Sequence, residues 1–244
     1  MGTTRKWCYE WSFLNLIYNI IRGGYDPPFL MGGIMFELNE SRKTTVKKVY
    51  DHAKNDAGYV WRYVITVDDF YNNPDEVREF ALNCTPKMDI KYTGNLIGSR
   101  VVEDVNEFDK NLKPVFEKAC QFDFWNPEFD ETFWKDTKFM VNVTTSDDIE
   151  TRFNEKKHTY TFHKDSTSYK WAAVIYLNKD DECDGGTNFY AWMPDDPSAV
   201  PRLEHSAEMK YNRMVLYECN HMHGAVLKKG MFSDFPRLTQ VLFM

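Results

Sequence analysis

From residue 137 onward, short aromatic or β-branched runs alternate with turn-forming stretches. The runs are 137–144 (TKFMVNVT), 158–163 (HTYTFH), 170–178 (KWAAVIYLN), 187–192 (TNFYAW), 212–219 (NRMVLYEC) and 236–243 (PRLTQVLF). Runs of this length, composition and spacing predict a meandering set of β-strands that closes as a sandwich or jelly roll. Upstream, Tyr59–Val67 (YVWRYVITV) predicts one more strand. Pro74 followed by Asp75 and Glu76, with Val77, Phe80 and Ala81 on one side, predicts a helix start and its buried face. A second helix is predicted from about Asp104 to Cys120, where Val105, Phe108, Leu112, Phe116 and Ala119 recur every three or four residues. Pro114 should kink or restart it. The polar, Pro-containing stretch 193–208 reads as a surface excursion. The expected class is therefore mainly β with flanking α-helices. It forms one domain over 35–244, with a helical flank and supporting strands at 35–130 and a β core at 131–244. Residues 1–34 read as an N-terminal extension. Phe13–Ile21 is too short to span a bilayer, Glu10 interrupts any signal-like run, and Gly23-Gly24 and Pro27-Pro28 break a helix. Met31 and Met35 are alternative starts.

Composition narrows the field. The chain has 244 residues, with 30 Lys plus Arg against 37 Asp plus Glu and a formal charge of −7. That balance argues against gripping nucleic acid through the overall field, and basic residues cluster no further than pairs such as Lys47-Lys48 and Lys228-Lys229. An aromatic share of 16% excludes a disordered chain and favours β-structure. Five cysteines (Cys8, Cys84, Cys120, Cys183, Cys219) are odd in number and contain no C-x-x-C pair, which points to free thiols in a reducing compartment. No membrane association is expected.

The candidate chemistry lies at the strand ends. His163 and Asp165 are two apart at the end of a predicted strand, so both side chains fall on one face. His223 follows a later strand. Two imidazoles and one carboxylate on adjacent strands form the facial triad that holds iron(II) and leaves positions open. Taken alone, an H-x-D pair arises more often as an ordinary hydrogen-bonded pair. His221, two residues before His223, would point the same way. His52, His158 and His205 read as edge or surface residues.

The neighbouring motifs add to this. Tyr176-Leu177-Asn178, Gly185-Gly186-Thr187, Asn212 to Tyr217, His223-Gly224-Ala225 and Arg237 follow the H-x-D pair in that order. With them, residues 137–244 resemble the iron(II)- and 2-oxoglutarate-dependent oxygenases, in particular their prolyl-hydroxylase-like branch. Asp68–Leu82 is similar to a segment of a group found in phages and marine bacteria within that superfamily. The resemblance implies a double-stranded β-helix (jelly roll) and a hydroxylase that couples decarboxylation of 2-oxoglutarate to C–H oxidation with O2. It implies His163, Asp165 and His223 as iron ligands. It also implies Arg237, Tyr176 and Thr239 as contacts to the distal carboxylate of 2-oxoglutarate. His223 is preferred to His221 because Gly224-Ala225-Val226 continues like the family's strand. Asp165 stands where halogenating relatives lack a carboxylate, so hydroxylation is the implied outcome. A second arginine after Arg237, expected of a nucleic-acid demethylase, is absent. The implied substrate is a small molecule or a peptidyl residue, and the implied location is the cytoplasm, that of the host if the chain is phage-encoded. Two other readings stay open: a non-catalytic β-helix binding module, and a cupin-like metal enzyme that does not use 2-oxoglutarate. One or both of the loops 179–186 and 193–208 are expected to act as lids that order when 2-oxoglutarate and substrate bind.

Overall fold

Two strands of this protein, Trp171–Tyr176 and Arg237–Phe243, are buried on both faces along nearly their whole length. A sheet buried on both sides needs a layer against each face, and that requirement organises the molecule. The computed structural model describes residues 36–53, 59–83, 99–101, 105–122, 134, 137–155, 162–165, 168–191 and 201–244. All belong to the compact unit Met35–Met244. The expectations for residues 1–34 and for most of the strand 158–163 lie outside the described residues.

In chain order the elements are β1 (Lys43–Ala53), β2 (Tyr59–Asp68), α1 (Pro74–Asn83), β3 (Ser99–Val101), α2 (Val105–Ala119), β4 (Lys138–Thr144), α3 (Ser146–Glu155), β5 (Trp171–Tyr176), β6 (Gly186–Ala191), β7 (Arg202–Glu208), β8 (Met214–Glu218), β9 (His223–Val226) and β10 (Arg237–Phe243). The fold is mainly β, with two antiparallel sheets. The larger has the order β1-β2-β8-β5-β10-β4-β3 and the smaller β7-β6-β9. Among the described residues no helix is long and apolar enough to cross a membrane. Cys120, Cys183 and Cys219 are free, as expected.

Alternation along the strands divides the large sheet cleanly. Ile65, Val67, Val141, Ala173, Ile175, Met214, Leu216, Leu238 and Leu242 face one way and join Val77 and Ala81 of α1 and Leu112, Phe116 and Ala119 of α2. Val64, Met140, Ala172, Val174, Val215 and Val241 face the other way, toward Phe189 of β6 and Ala207 of β7. Helices therefore cover one face and the small sheet the other. Pro74 opens α1 as expected, with Asp75 and Glu76 in its first turn. α2 continues through Pro114.

One expectation is corrected. Residues 202–208 are not part of an excursion: they form β7, whose partner β6 pairs with it from Gly186↔Glu208 to Ala191↔Arg202. The polar sequence of β7 reflects an exposed outer strand. The segment 179–186 is fastened by side-chain pairs. Glu182, in a 3₁₀ turn, accepts two hydrogen bonds from Arg78 at 2.8 and 3.0 Å, and Lys179 pairs with Asp75. Finally, α3 and β1 were not anticipated. Both carry charge at positions where a periodic apolar face would show.

Gly186 opens β6 with φ +141°, and a Cβ there would lie 2.2 Å from the Ala207 carbonyl oxygen. The atoms it would meet are all backbone of residues 207–209, which cannot swing aside as a side chain could. Gly186→Ala should destabilise by at least about 2 kcal/mol, read as a lower urea midpoint with unchanged slope. A midpoint equal to wild type would show that the β6–β7 junction is looser than its contacts indicate.

Candidate metal centre

β9 is four residues long, and its first residue carries the site. The backbones of His163 and His223 pair reciprocally: His163 N–H donates to the His223 carbonyl at 2.7 Å, and His223 N–H donates to the His163 carbonyl at 2.9 Å. This isolated bridge extends the small sheet beyond β9 and sets the two imidazoles side by side, with ring centres 4.6 Å apart. Asp165 N–H donates to the Cys219 carbonyl at 2.9 Å, which turns its carboxylate back toward both rings. His163 Nε2 lies 3.4 Å from Asp165 Oδ1, and His223 Nε2 lies 3.3 Å from Oδ2. One donor atom from each residue falls within 4.8 Å of the others, so His163, Asp165 and His223 form a group that could hold a metal ion.

The protonation state of His223 follows from its partners. Nδ1 lies 2.8 Å from the His221 carbonyl, which can only accept, so Nδ1 carries the proton. Burial pushes the His223 pKa down to about 4, with Asp165 opposing and His163 reinforcing the shift. The ring is therefore neutral at physiological pH, and Nε2 presents a lone pair. Nε2 and Asp165 Oδ2 are then two facing acceptors, an arrangement that a cation satisfies. The donor set of imidazole and carboxylate suits a divalent transition metal with open positions. The Nδ1–H···O=C bond supplies the orienting contact usual for a metal-ligating histidine.

His221 is excluded from the group. Its ring is fully buried against Phe189, with centres 5.3 Å apart, and neither nitrogen has a hydrogen-bond partner among the described residues. Its pKa is also pushed down to about 4 by burial.

The other expected site residues lie on the inner face of the large sheet. Register places Thr239 opposite Tyr176 on one side and Asn142 on the other, and Arg237 opposite Thr144. All are buried. Arg237 has no carboxylate partner among the described residues. Burial pulls its guanidinium below the usual range, opposed by Tyr176, which is also its side-chain hydrogen-bond partner, and by Tyr217. Its Nε, Thr239 Oγ1 and Asn142 Oδ1 lack hydrogen-bond partners among the described residues. The Tyr176 hydroxyl is bonded to Thr187 Oγ1 at 2.7 Å, and burial raises the phenol's pKa.

Tyr217 was not anticipated. It faces inward from β8, its hydroxyl lies 3.1 Å from His223 Nε2, and it also neighbours Arg237. It thus joins the metal group to the buried polar row. Its alternation with inward Val215 was the available signal. Arg100 of β3 pairs in register with Asn142.

No family model matches the chain, and no curated protein matches it.

Two outcomes follow from this geometry. Because His221 and His223 have folded pKa values near 4 against about 6.5 unfolded, the unfolded chain binds their protons first. The stability they contribute is intact above about pH 6.5 and is lost as pH falls toward 4. Urea midpoints of metal-free protein should fall across that window, and His221→Asn should flatten the fall. Separately, the Tyr217 hydroxyl donates to the lone pair that a metal would take. Removing a bond worth about 1 kcal/mol should tighten cobalt(II) binding by roughly fivefold in Tyr217→Phe. Weaker binding in that variant would instead make Tyr217 a support of the bound state.

Proposed function

We propose that this protein is an iron(II)- and 2-oxoglutarate-dependent oxygenase, most simply a hydroxylase, built as a double-stranded β-helix. The observation that carries the reading is a buried arginine without a carboxylate partner among the described residues, on the sheet face that also bears Tyr217, the neighbour of His223. A buried cation held only by neutral groups among the described residues is costly and favours an anionic ligand.

The strand arrangement supports the fold part. From β4 onward the chain visits the large sheet (β4), the His163 bridge beside β9, the large sheet (β5), the small sheet (β6, β7), the large sheet (β8), the small sheet (β9) and the large sheet (β10). A double-stranded β-helix would interleave its strands in this order. Eight strand positions in this order are a more demanding match than the H-x-D pair alone.

In this reading His163, Asp165 and His223 would hold iron(II), which when bound would activate dioxygen, two of its four reducing electrons coming from 2-oxoglutarate as it is oxidised to succinate and CO2 and two from the substrate C–H bond. The chain itself supplies position and charge. Neutral His223 offers Nε2, and Asp165 leaves a net positive charge on the ion that attracts a dianion. Arg237 offers a planar pair of donors to the far carboxylate. Thr239 and Asn142, in register beside it, offer polar atoms with no partner among the described residues. The Tyr176 hydroxyl can leave or share Thr187 to add a further donor. Phe189 and Val215 keep the surroundings apolar, which strengthens each of these interactions.

The clamp has a consequence that a structural arginine lacks. Removing a buried charge that no carboxylate balances among the described residues should relieve the ligand-free protein, so Arg237→Met should melt no lower than wild type without cosubstrate. The same variant should lose roughly two to three orders of magnitude in 2-oxoglutarate affinity, by calorimetry with iron(II) under argon. Wild type should release succinate from 2-oxoglutarate with a matched substrate. An affinity for 2-oxoglutarate unchanged within threefold in the variant would overturn the clamp, and with it the oxygenase reading.

A further inference from the structure

β1 contains one irregularity. Its register against β2 slips between Tyr50 and His52, making Asp51 the extra residue of a β-bulge. Bulges redirect single side chains and often lie beside functional sites. Here the redirected group is a carboxylate with no solvent exposure. Asp51 Oδ2 accepts from Arg62 Nε at 2.9 Å and lies 3.1 Å from His52 Nδ1, while Oδ1 has no hydrogen-bond partner among the described residues. A buried, half-satisfied carboxylate is destabilising unless it holds something in place.

It holds Arg62. The other arm of that guanidinium, Nη1, donates to Glu218 Oε2 at 2.5 Å. Glu218 ends β8 and begins the turn into β9. That turn supports two of the three residues of the metal group through its backbone. The Glu218 carbonyl accepts from His221 N–H at 2.9 Å, the Cys219 carbonyl from Asp165 N–H at 2.9 Å, and the His221 carbonyl from His223 Nδ1 at 2.8 Å. Cys219 N–H is itself held by the Lys170 carbonyl at 3.0 Å. Arg62 therefore grips the first residue of a turn whose next carbonyls aim Asp165 and His223.

We infer that Arg62, anchored by Asp51 and acting through Glu218, is a positioning residue for the metal group. The inference rests on the metal reading above. Arg62 touches none of the three donor residues. Its effect is transmitted by the Glu218–Met222 turn, whose carbonyls fix the Asp165 backbone and the proton-bearing nitrogen of His223. Charge makes the idea testable by sign. Asp51, Arg62 and Glu218 together carry −1, and deleting the guanidinium would leave −2 near the site. If only the field mattered, a cation would then bind more tightly. Loss of positioning weakens it.

The test is a cobalt(II) titration of the full chain, following the visible d–d absorption. Arg62→Met should weaken cobalt(II) binding by about 10–100-fold and alter the band shape, the scale typical of groups that orient metal ligands. Arg62→Lys should recover part of the affinity, because one ammonium can reach one carboxylate but not fork between two. Glu218→Gln, which keeps an acceptor, should fall between wild type and Arg62→Met, and it carries the test if Arg62→Met does not fold. Val77→Ala, on the helix-covered face, is the control: it should lower stability without moving cobalt(II) affinity. Tighter or unchanged binding in Arg62→Met with an unaltered spectrum would overturn the inference. So would an equal loss of affinity in Val77→Ala. If wild type binds no cobalt(II), the metal reading itself fails. If wild type binds it and the variants match wild type, only the positioning role fails.

Discussion

The reciprocal backbone pairing of His163 and His223 is the contact on which the candidate site depends. It joins two points 60 residues apart in the chain through two hydrogen bonds of 2.7 and 2.9 Å. A β-bridge places directly opposite residues on one face, so both imidazoles emerge together without further adjustment. Asp165, two residues on, is then within reach of both rings. The triad is thus a property of strand register. A slip of one residue would send one imidazole to the far side of the small sheet.

The same rule of alternation decides what lies beneath. On β10, Leu238, Gln240 and Leu242 serve the helix-covered layer, and Arg237, Thr239 and Val241 serve the inter-sheet layer. One seven-residue strand therefore supplies both a hydrophobic floor and a polar row. Enclosing Arg237 between sheets removes it from water and leaves it without a carboxylate among the described residues. Apolar packing of α1 and α2 on the opposite face compensates for such polar burial by fixing the sheet that carries it. The helix-packed core lies on one side and the candidate site on the other.

Charged groups at the rim work differently. Asp51, Arg62 and Glu218 are held at the edge of the large sheet, and the Arg78–Glu182 pair, with Arg78 stacked 4.3 Å from the Phe235 ring, secures the loop after β5. Both constellations fasten loops, not strands. Loops carry functional groups but lack a ladder of their own, so side-chain pairs take over that role. This also explains why 179–186 is fastened despite its turn-rich sequence.

Much of this was legible in the chain. Strands β2, β4, β5, β6, β8 and β10 announce themselves because β-branched and aromatic residues concentrate there, and α1 and α2 by their apolar spacing. The H-x-D pair and His223 were legible as metal-binding chemistry, since residue type and a two-residue period are local facts. Strands β1 and β7 were not, because an exposed edge strand need not be apolar on either face. Nor were Tyr217, Asp51 and Arg62, whose significance exists only once β8 lies beside β2 and a bulge turns Asp51 inward. His223 was preferred to His221 only through a resemblance, and the physical reason for that choice belongs to tertiary structure. Both are histidines two apart on one short segment, and only the pairing with His163 decides which ring meets Asp165 and which is packed against Phe189. Local sequence determines which side chains are available and which way they alternate. Long-range strand register, set by burying both faces of one sheet, decides which of them meet.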